Sequence, residues 1–179
     1  MNDSLLHNYD QLIERVDLLC RQIAAELGSR ITCHAGCSSC CLPISIFPVE
    51  QAALQRWVGT LSNGERETMG KHLIRGDGPK FCPLLLDDRC LIYPVRPIIC
   101  RTHGFPILYQ QEDGRTVDCC PRNDLAGVEL NGSCVIDLDR LNSLLVAINT
   151  LYCQQCGSAD PGVRIAIADA LRQLLVTPT

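Results

Sequence analysis

The sequence predicts a mainly α protein with a small, irregular, loop-rich β region at its centre, an α+β fold in which helices pack around cysteine-bearing loops. Three observations predict it. Apolar residues recur at helical spacing near both ends of the chain. The stretch between them holds Pro83, Pro94, Pro97, Pro106 and Pro121, which excludes long helices there. Cysteines crowd that same stretch and the loop before it. With 179 residues, 46% of them hydrophobic, the chain is long enough for one domain with its own core. It reads as a single domain over 1–179, with a cysteine core at 33–121 and scaffold helices at 1–28 and 137–176.

The elements follow in order. Leu5, Leu12, Val16, Leu19, Ile23 and Leu27 repeat at steps of three, four or seven, so residues 4–27 form an amphipathic helix with Gly28 as its C-cap. Residues 29–43 break that period. Ile44, Ile46 and Phe47 suit a short extended segment, and Pro48 suits the first turn of a helix to about Gly59. Ser62-Asn-Gly-Glu65 is a capping-box pattern opening a helix to about Arg75, ended by Gly76-Asp-Gly-Pro79. Short strands and turns follow, among them Arg115 to Cys119 after the Asp113-Gly114 turn. Leu138, Leu141, Leu144, Leu145, Ile148 and Leu151 mark a helix over 137–155. A last helix is expected from Asp160-Pro161, as N-cap and first helical residue, to about Val176.

Thirteen cysteines are the outlying feature, and disulfides and metal compete to explain such a count. The N-terminus, MNDSLLHNYDQLIERV, has an acid at Asp3 and neither a basic segment nor an unbroken apolar run, so it is not a secretory signal. The Leu141 to Leu151 stretch is interrupted by polar residues and is far short of the roughly 20 residues a membrane span needs. A cytoplasmic setting, where thiols stay reduced, is the expectation, and an odd count forbids complete internal pairing. Metal ligation leads. A net charge of −4 with no Lys/Arg cluster gives no electrostatic case for nucleic acid, and no membrane partner is expected.

The first cluster is Cys33-His-Ala-Gly-Cys37-Ser-Ser-Cys40-Cys41. Its small residues let the backbone curl so that thiolates converge and amide N–H groups face sulfur. The second runs Cys82-Pro-Leu-Leu-Leu-Asp-Asp-Arg-Cys90, then Leu91-Ile-Tyr93-Pro-Val-Arg96-Pro97-Ile-Ile-Cys100-Arg101; the third is Cys119-Cys120-Pro121. This pattern resembles the YkgJ-like cysteine-cluster (CxxCxxCC) family of zinc- or iron-chelating domains. The resemblance covers about residues 33–121 and is carried most specifically by the C-x-I-Y-x-x-R-P-x-x-C-R match from Cys90 to Arg101. It implies metal chelation by Cys33, Cys37, Cys40, Cys41, Cys82, Cys90, Cys100 and Cys120, and leaves the metal and the reaction open.

Eight thiols suit two four-thiolate sites, or one such site plus redox-active or structural thiols. In a tetrahedral zinc site the sulfurs stand about 3.7 Å apart, given a Zn–S bond of about 2.3 Å. Adjacent residues in an extended segment point opposite ways, so Cys40 and Cys41 do not easily share one zinc ion. Cys37-x2-Cys40 is half a zinc knuckle, and all-thiolate sites suit both metals. The spacing departs from the common ferredoxin run, but the cysteine density around Gly and Ser suits a cluster whose sulfurs need N–H donors. An iron–sulfur cluster, such as a 4Fe-4S centre, is favoured over zinc. Arg96 and Arg101 flank Cys100 and are candidates to offset the negative charge of a thiolate-bound centre, with ordinary ion-pair arginines as the alternative. His103 is a candidate sulfur donor or proton carrier, against a surface turn residue.

Cys33-x3-Cys37-x2-Cys40 has the radical-SAM spacing, and flagellin lysine methylases carry a related cluster. A helix before the cluster, a short chain and no alternating βα pattern speak against that chemistry. Cys153 and Cys156 share a helix face and Cys119 adjoins Cys120; each is open between ligand and packed thiol. Cys20 and Cys134 are expected to be structural, His34 a loop residue, and His7 and His72 solvent-facing. Asp87-Asp88 reads as a turn rather than a catalytic pair, and no phosphate loop or nucleophile elbow is present. The functional expectation is an iron–sulfur protein with a redox, electron-transfer or modification role. The alternatives are a non-enzymatic zinc module that docks a partner protein, or a protein that passes metal to another enzyme.

Overall fold

The computed structural model describes residues 3–75, 81–157 and 160–176. The fold is mainly α with small β elements, as the sequence predicts. Helix α1, His7–Leu27, follows a 3-10 turn at Asp3–Leu6 and turns Tyr9, Leu12, Val16, Cys20, Ile23 and Leu27 inward. Gly28 caps it at φ 56°, its N–H bonding the Ala24 carbonyl, a backbone conformation that suits glycine. Helix α2, Pro48–Val58, has Pro48 in its first turn. Helix α3, Asn63–Arg75, begins at a reciprocal capping box: Glu65 N–H donates to Ser62 Oγ at 3.3 Å, and Ser62 N–H donates to Glu65 Oε2 at 2.8 Å. The predicted stop at Gly76-Asp-Gly-Pro79 lies outside the described residues.

The central region folds as short strands and turns. Strands β2, Leu85–Leu86, and β3, Arg89–Cys90, form a minimal antiparallel hairpin. Asp87 and Asp88 make its two-residue turn at φ 49° and 60°, the left-handed conformation that matches strand twist and that aspartate tolerates. A 3-10 turn follows at Tyr93–Val95, and the five-residue helix α4, Ile98–Thr102, carries Cys100. Strands β4, Ile107–Gln111, and β5, Gly114–Asp118, pair antiparallel, and β6, Ile136–Asp137, runs parallel to β4. Asp137 caps helix α5, Leu138–Cys156, by accepting the Arg140 N–H.

One expectation is corrected. The last helix, α6, spans Ile167–Val176 rather than starting at Asp160. Asp160 Oδ1 accepts the Gly162 N–H at 2.8 Å, and the Asp160 carbonyl accepts from Val163, so the capping signature closes a local turn instead. Ile165–Ala166, strand β7, then pairs antiparallel with β1, Ser45–Ile46. The pairing with a strand over a hundred residues away overrides the local helix signal.

Two apolar cores result. The first gathers the inward face of α1, Val49 and Ala52 of α2, Ile98 of α4, and Leu141 and Leu145 of α5. The second gathers Leu54 and Val58 of α2, Met69 and Leu73 of α3, Leu84, Ile92, and Ile167, Ala168, Ala170 and Leu171. Helix α2 contributes to both, one turn to each. Asn149, fully buried, accepts the Val49 N–H and donates to the Pro161 carbonyl; this polar break in an apolar run ties α2, α5 and the 160–163 turn together. Among the described residues, no helix is long and apolar enough to cross a membrane.

Candidate metal centre

The cysteine loops meet where the two cores adjoin. Cys82 and Cys90 pack against the second core, Phe105 against the first. Between them lies a cavity of about 350 Å³ lined by Cys33, Cys37, Cys40, Cys41, Cys82, Cys90 and Cys100. Cys120 joins them through Gly104: a Cβ at that glycine would stand 2.5 Å from Cys33 Sγ and 3.7 Å from the Cys120 Cβ. The eight thiols named from the sequence are therefore brought to one region, each partly exposed and none in a disulfide.

Backbone bonds close the loops around the cavity. Cys37 N–H donates to the His34 carbonyl and Cys41 N–H to the Ser38 carbonyl, which curls the first cluster. Cys82 N–H donates to the Cys41 carbonyl at 3.0 Å, and Ser38 Oγ donates to Asp88 Oδ1 at 2.7 Å; both tie that loop to the β2–β3 hairpin. On the other side, Cys120 N–H donates to the Gly104 carbonyl at 3.3 Å. Asn123 Nδ2 donates to the same carbonyl, and Asn123 Oδ1 accepts the Thr32 N–H.

The thiols sort into two neighbourhoods. Burial pushes the Cys33 thiol up to about 11, and its crowding neighbours are Cys120, Cys37 and Cys40. Burial pushes Cys100 up to about 12, reinforced by Cys82, Cys90 and Cys41. Cys41 is likewise raised to about 12 by burial and then by Cys40, Cys82 and Cys90. The Cys37 thiol is lowered, by hydrogen bonding with Ser39 and by the Arg122 guanidinium, whose Nη1 donates to its sulfur at 3.7 Å. Thiols crowded in this way ionise together only when positive charge is placed among them.

The flanking candidates separate. Arg101 is nearly buried. Its Nη1 pairs with Asp17 of α1 at 2.7 Å, its Nε donates to the Arg96 carbonyl and its Nη2 to the Pro94 carbonyl. Its donors thus face the scaffold. The Arg96 guanidinium lies 3.9 Å over the Tyr93 ring. Its charge acts on Cys33, Cys90 and Cys100 against their burial. Among the described residues its Nε is a buried side-chain nitrogen with no hydrogen-bond partner. The residues present fit a thiolate-bound centre: an all-thiol donor set suits zinc and iron–sulfur alike, and such a centre would offer that nitrogen an acceptor. His103 is exposed on the cavity rim, as is His34, whose Nδ1 bonds the Thr32 carbonyl.

The other cysteines do not line the cavity. Cys20 and Cys134 are buried in the first core. Cys153 is buried with its sulfur 3.8 Å from Asn149 Oδ1, and Cys119 directly follows β5 with its N–H on Asp118 Oδ1. Sequence reasoning missed Gly104, Arg122 and Asn123. Arg122 and Asn123 follow Cys120-Pro121 directly, so proximity to the last motif is the signal that pointed to them.

A family model for CxxCxxCC proteins, described as "Putative zinc- or iron-chelating domain", matches residues 32–125. No curated protein and no solved structure matches the chain. The matched span opens just before Cys33 and closes just after Asn123, and so takes in both loops that frame the cavity. The chain belongs to this CxxCxxCC cysteine-cluster family and carries its metal-chelating domain.

Proposed function

We propose that the eight thiols hold iron–sulfur chemistry and that the protein serves a redox or electron-transfer role. The observation that carries this reading is the arrangement of the sulfurs around a cavity of about 350 Å³. An inorganic cluster spaces its thiolate ligands more widely than one zinc ion does, and so suits a ring of sulfurs. Arg96 supports the reading from the protein side: it presents an unpaired N–H and a positive charge where cluster sulfur needs both. When bound, such a cluster supplies one-electron transfer. The chain's own residues would ligate it, balance its charge and screen it from water behind Ile44, Leu84 and Ile92.

A second reading, zinc holding the loops for a partner protein, draws on the tight turns of the first cluster, with N–H to carbonyl bonds from Cys37 to His34 and from Cys41 to Ser38. Anaerobic purification separates the two. The iron–sulfur reading expects a brown protein whose acid-labile sulfide matches its iron. Colourless protein with stoichiometric zinc would overturn it in favour of the second.

A further inference from the structure

The eight thiols differ in how firmly their surroundings hold them. Cys82 and Cys90 each precede by two residues a core side chain only 1% exposed, Leu84 and Ile92. Cys100 sits on α4 between the buried Ile98 and Arg101. Cys41 is drawn to this group by the hydrogen bond from Cys82 N–H to its carbonyl. For Cys33, Cys37, Cys40 and Cys120 the pattern reverses. No residue within two positions of any of them is buried, and His34, Gly36, Ser39, Pro121 and Arg122 beside them are exposed. Cys40 and Cys41, adjacent in an irregular segment, carry the chain from one group to the other. Among the described residues, only Cys37 of the eight has its sulfur held by exposed polar groups, Ser39 and Arg122.

We infer that the two groups are separate metal sites of unequal lability. Cys41, Cys82, Cys90 and Cys100 hold a structural metal that leaves only when the second core opens. Cys33, Cys37, Cys40 and Cys120 hold a metal that exchanges with thiols or chelators in solution through Cys37. This rests on the reading that these thiols bind metal, whichever metal it is. Exchange at the outer site needs no redox partner. A donor atom of the incoming ligand would bond to the metal as the Cys37–metal bond breaks, and the departing Cys37 sulfur stays within reach of Arg122 Nη1, 3.7 Å away. Ligand number and charge are conserved at each step, and the core stays closed.

The test is timed metal loss. Anaerobically purified protein is held in excess EDTA and desalted at intervals, and its metal is measured by elemental analysis alongside a thermal melt. Two phases of equal amplitude are expected, the second at least roughly tenfold slower because it waits on opening of a packed core. The melt should persist through the first phase. Cys37→Ser should lose the fast phase and keep the slow one with a cooperative melt. Release of all metal in one phase, or loss of both phases in Cys37→Ser, would overturn the partition while leaving metal binding intact. Protein that binds no metal at all would overturn the underlying reading as well.

Discussion

Cys33 lies so close to Gly104 that the backbone there has no room for a side chain. The glycine sits at φ 96° and its carbonyl receives both Cys120 N–H and Asn123 Nδ2. Gly104→Ala should therefore cost about 1–3 kcal/mol through left-handed backbone strain alone. It should also lower metal content by displacing the Cys33 sulfur; urea unfolding and elemental analysis read the two effects. Arg101 makes the opposite case, a motif residue whose donors serve the scaffold. Its side chain is 9% exposed and that of its partner Asp17 is 32% exposed. Arg101→Ala is expected to cost roughly 3 kcal/mol, near the low end for losing one partner of a buried pair because Asp17 reaches solvent. If denaturation midpoints were unchanged, the pair would contribute nothing and Arg101 would be free to serve the metal. Spacing alone made Arg96 and Arg101 look equivalent, since both flank Cys100. Which one turned to Asp17 depended on α1, more than seventy residues earlier, and was not legible from the motif.

At the scale of elements, Glu50 connects the scaffold to the site. Its carboxylate accepts the Phe47 N–H at 3.0 Å and the Ile98 N–H at 3.3 Å, so the start of α2 and the start of the cysteine-bearing α4 share one buried acceptor. Burial raises its pKa above the ordinary 4.5 despite those bonds. A raised acid binds its proton more tightly in the folded state. Its stabilising contribution is complete below the unfolded value and is lost as pH rises through the folded one. Stability measured in urea should therefore fall for the natural chain over that window more steeply than for Glu50→Gln, and the gap between the two should narrow with rising pH; a gap independent of pH would contradict this. The helices with a continuous apolar stripe or a local cap were legible: α1, α2, α3 with its Ser62–Glu65 box, and α5. So was the Asp87-Asp88 turn. What was not legible is nonlocal. The pairing of β1 with β7 delays α6, and β6 joins β4 in parallel, and neither is encoded in the residues that flank it.

For the whole molecule, the cysteine loops occupy the boundary between two cores, with α2 reaching into both. The family resemblance named the eight thiols, yet their gathering in one region depends on Gly104, Ser38–Asp88 and Cys82–Cys41 contacts that join stretches far apart in the chain. Metal held there should tie the two cores into one cooperative unit. The most direct measurement is metal per chain, by elemental analysis of anaerobically purified protein, for the natural sequence and for Cys90→Ser, Cys100→Ser and Cys20→Ser. The account expects bound iron or zinc in the natural chain, less in Cys90→Ser and Cys100→Ser, and an undiminished amount in Cys20→Ser, whose thiol is buried in the first core. Equal metal in all four, or a well-folded natural chain with neither iron nor zinc, would contradict it.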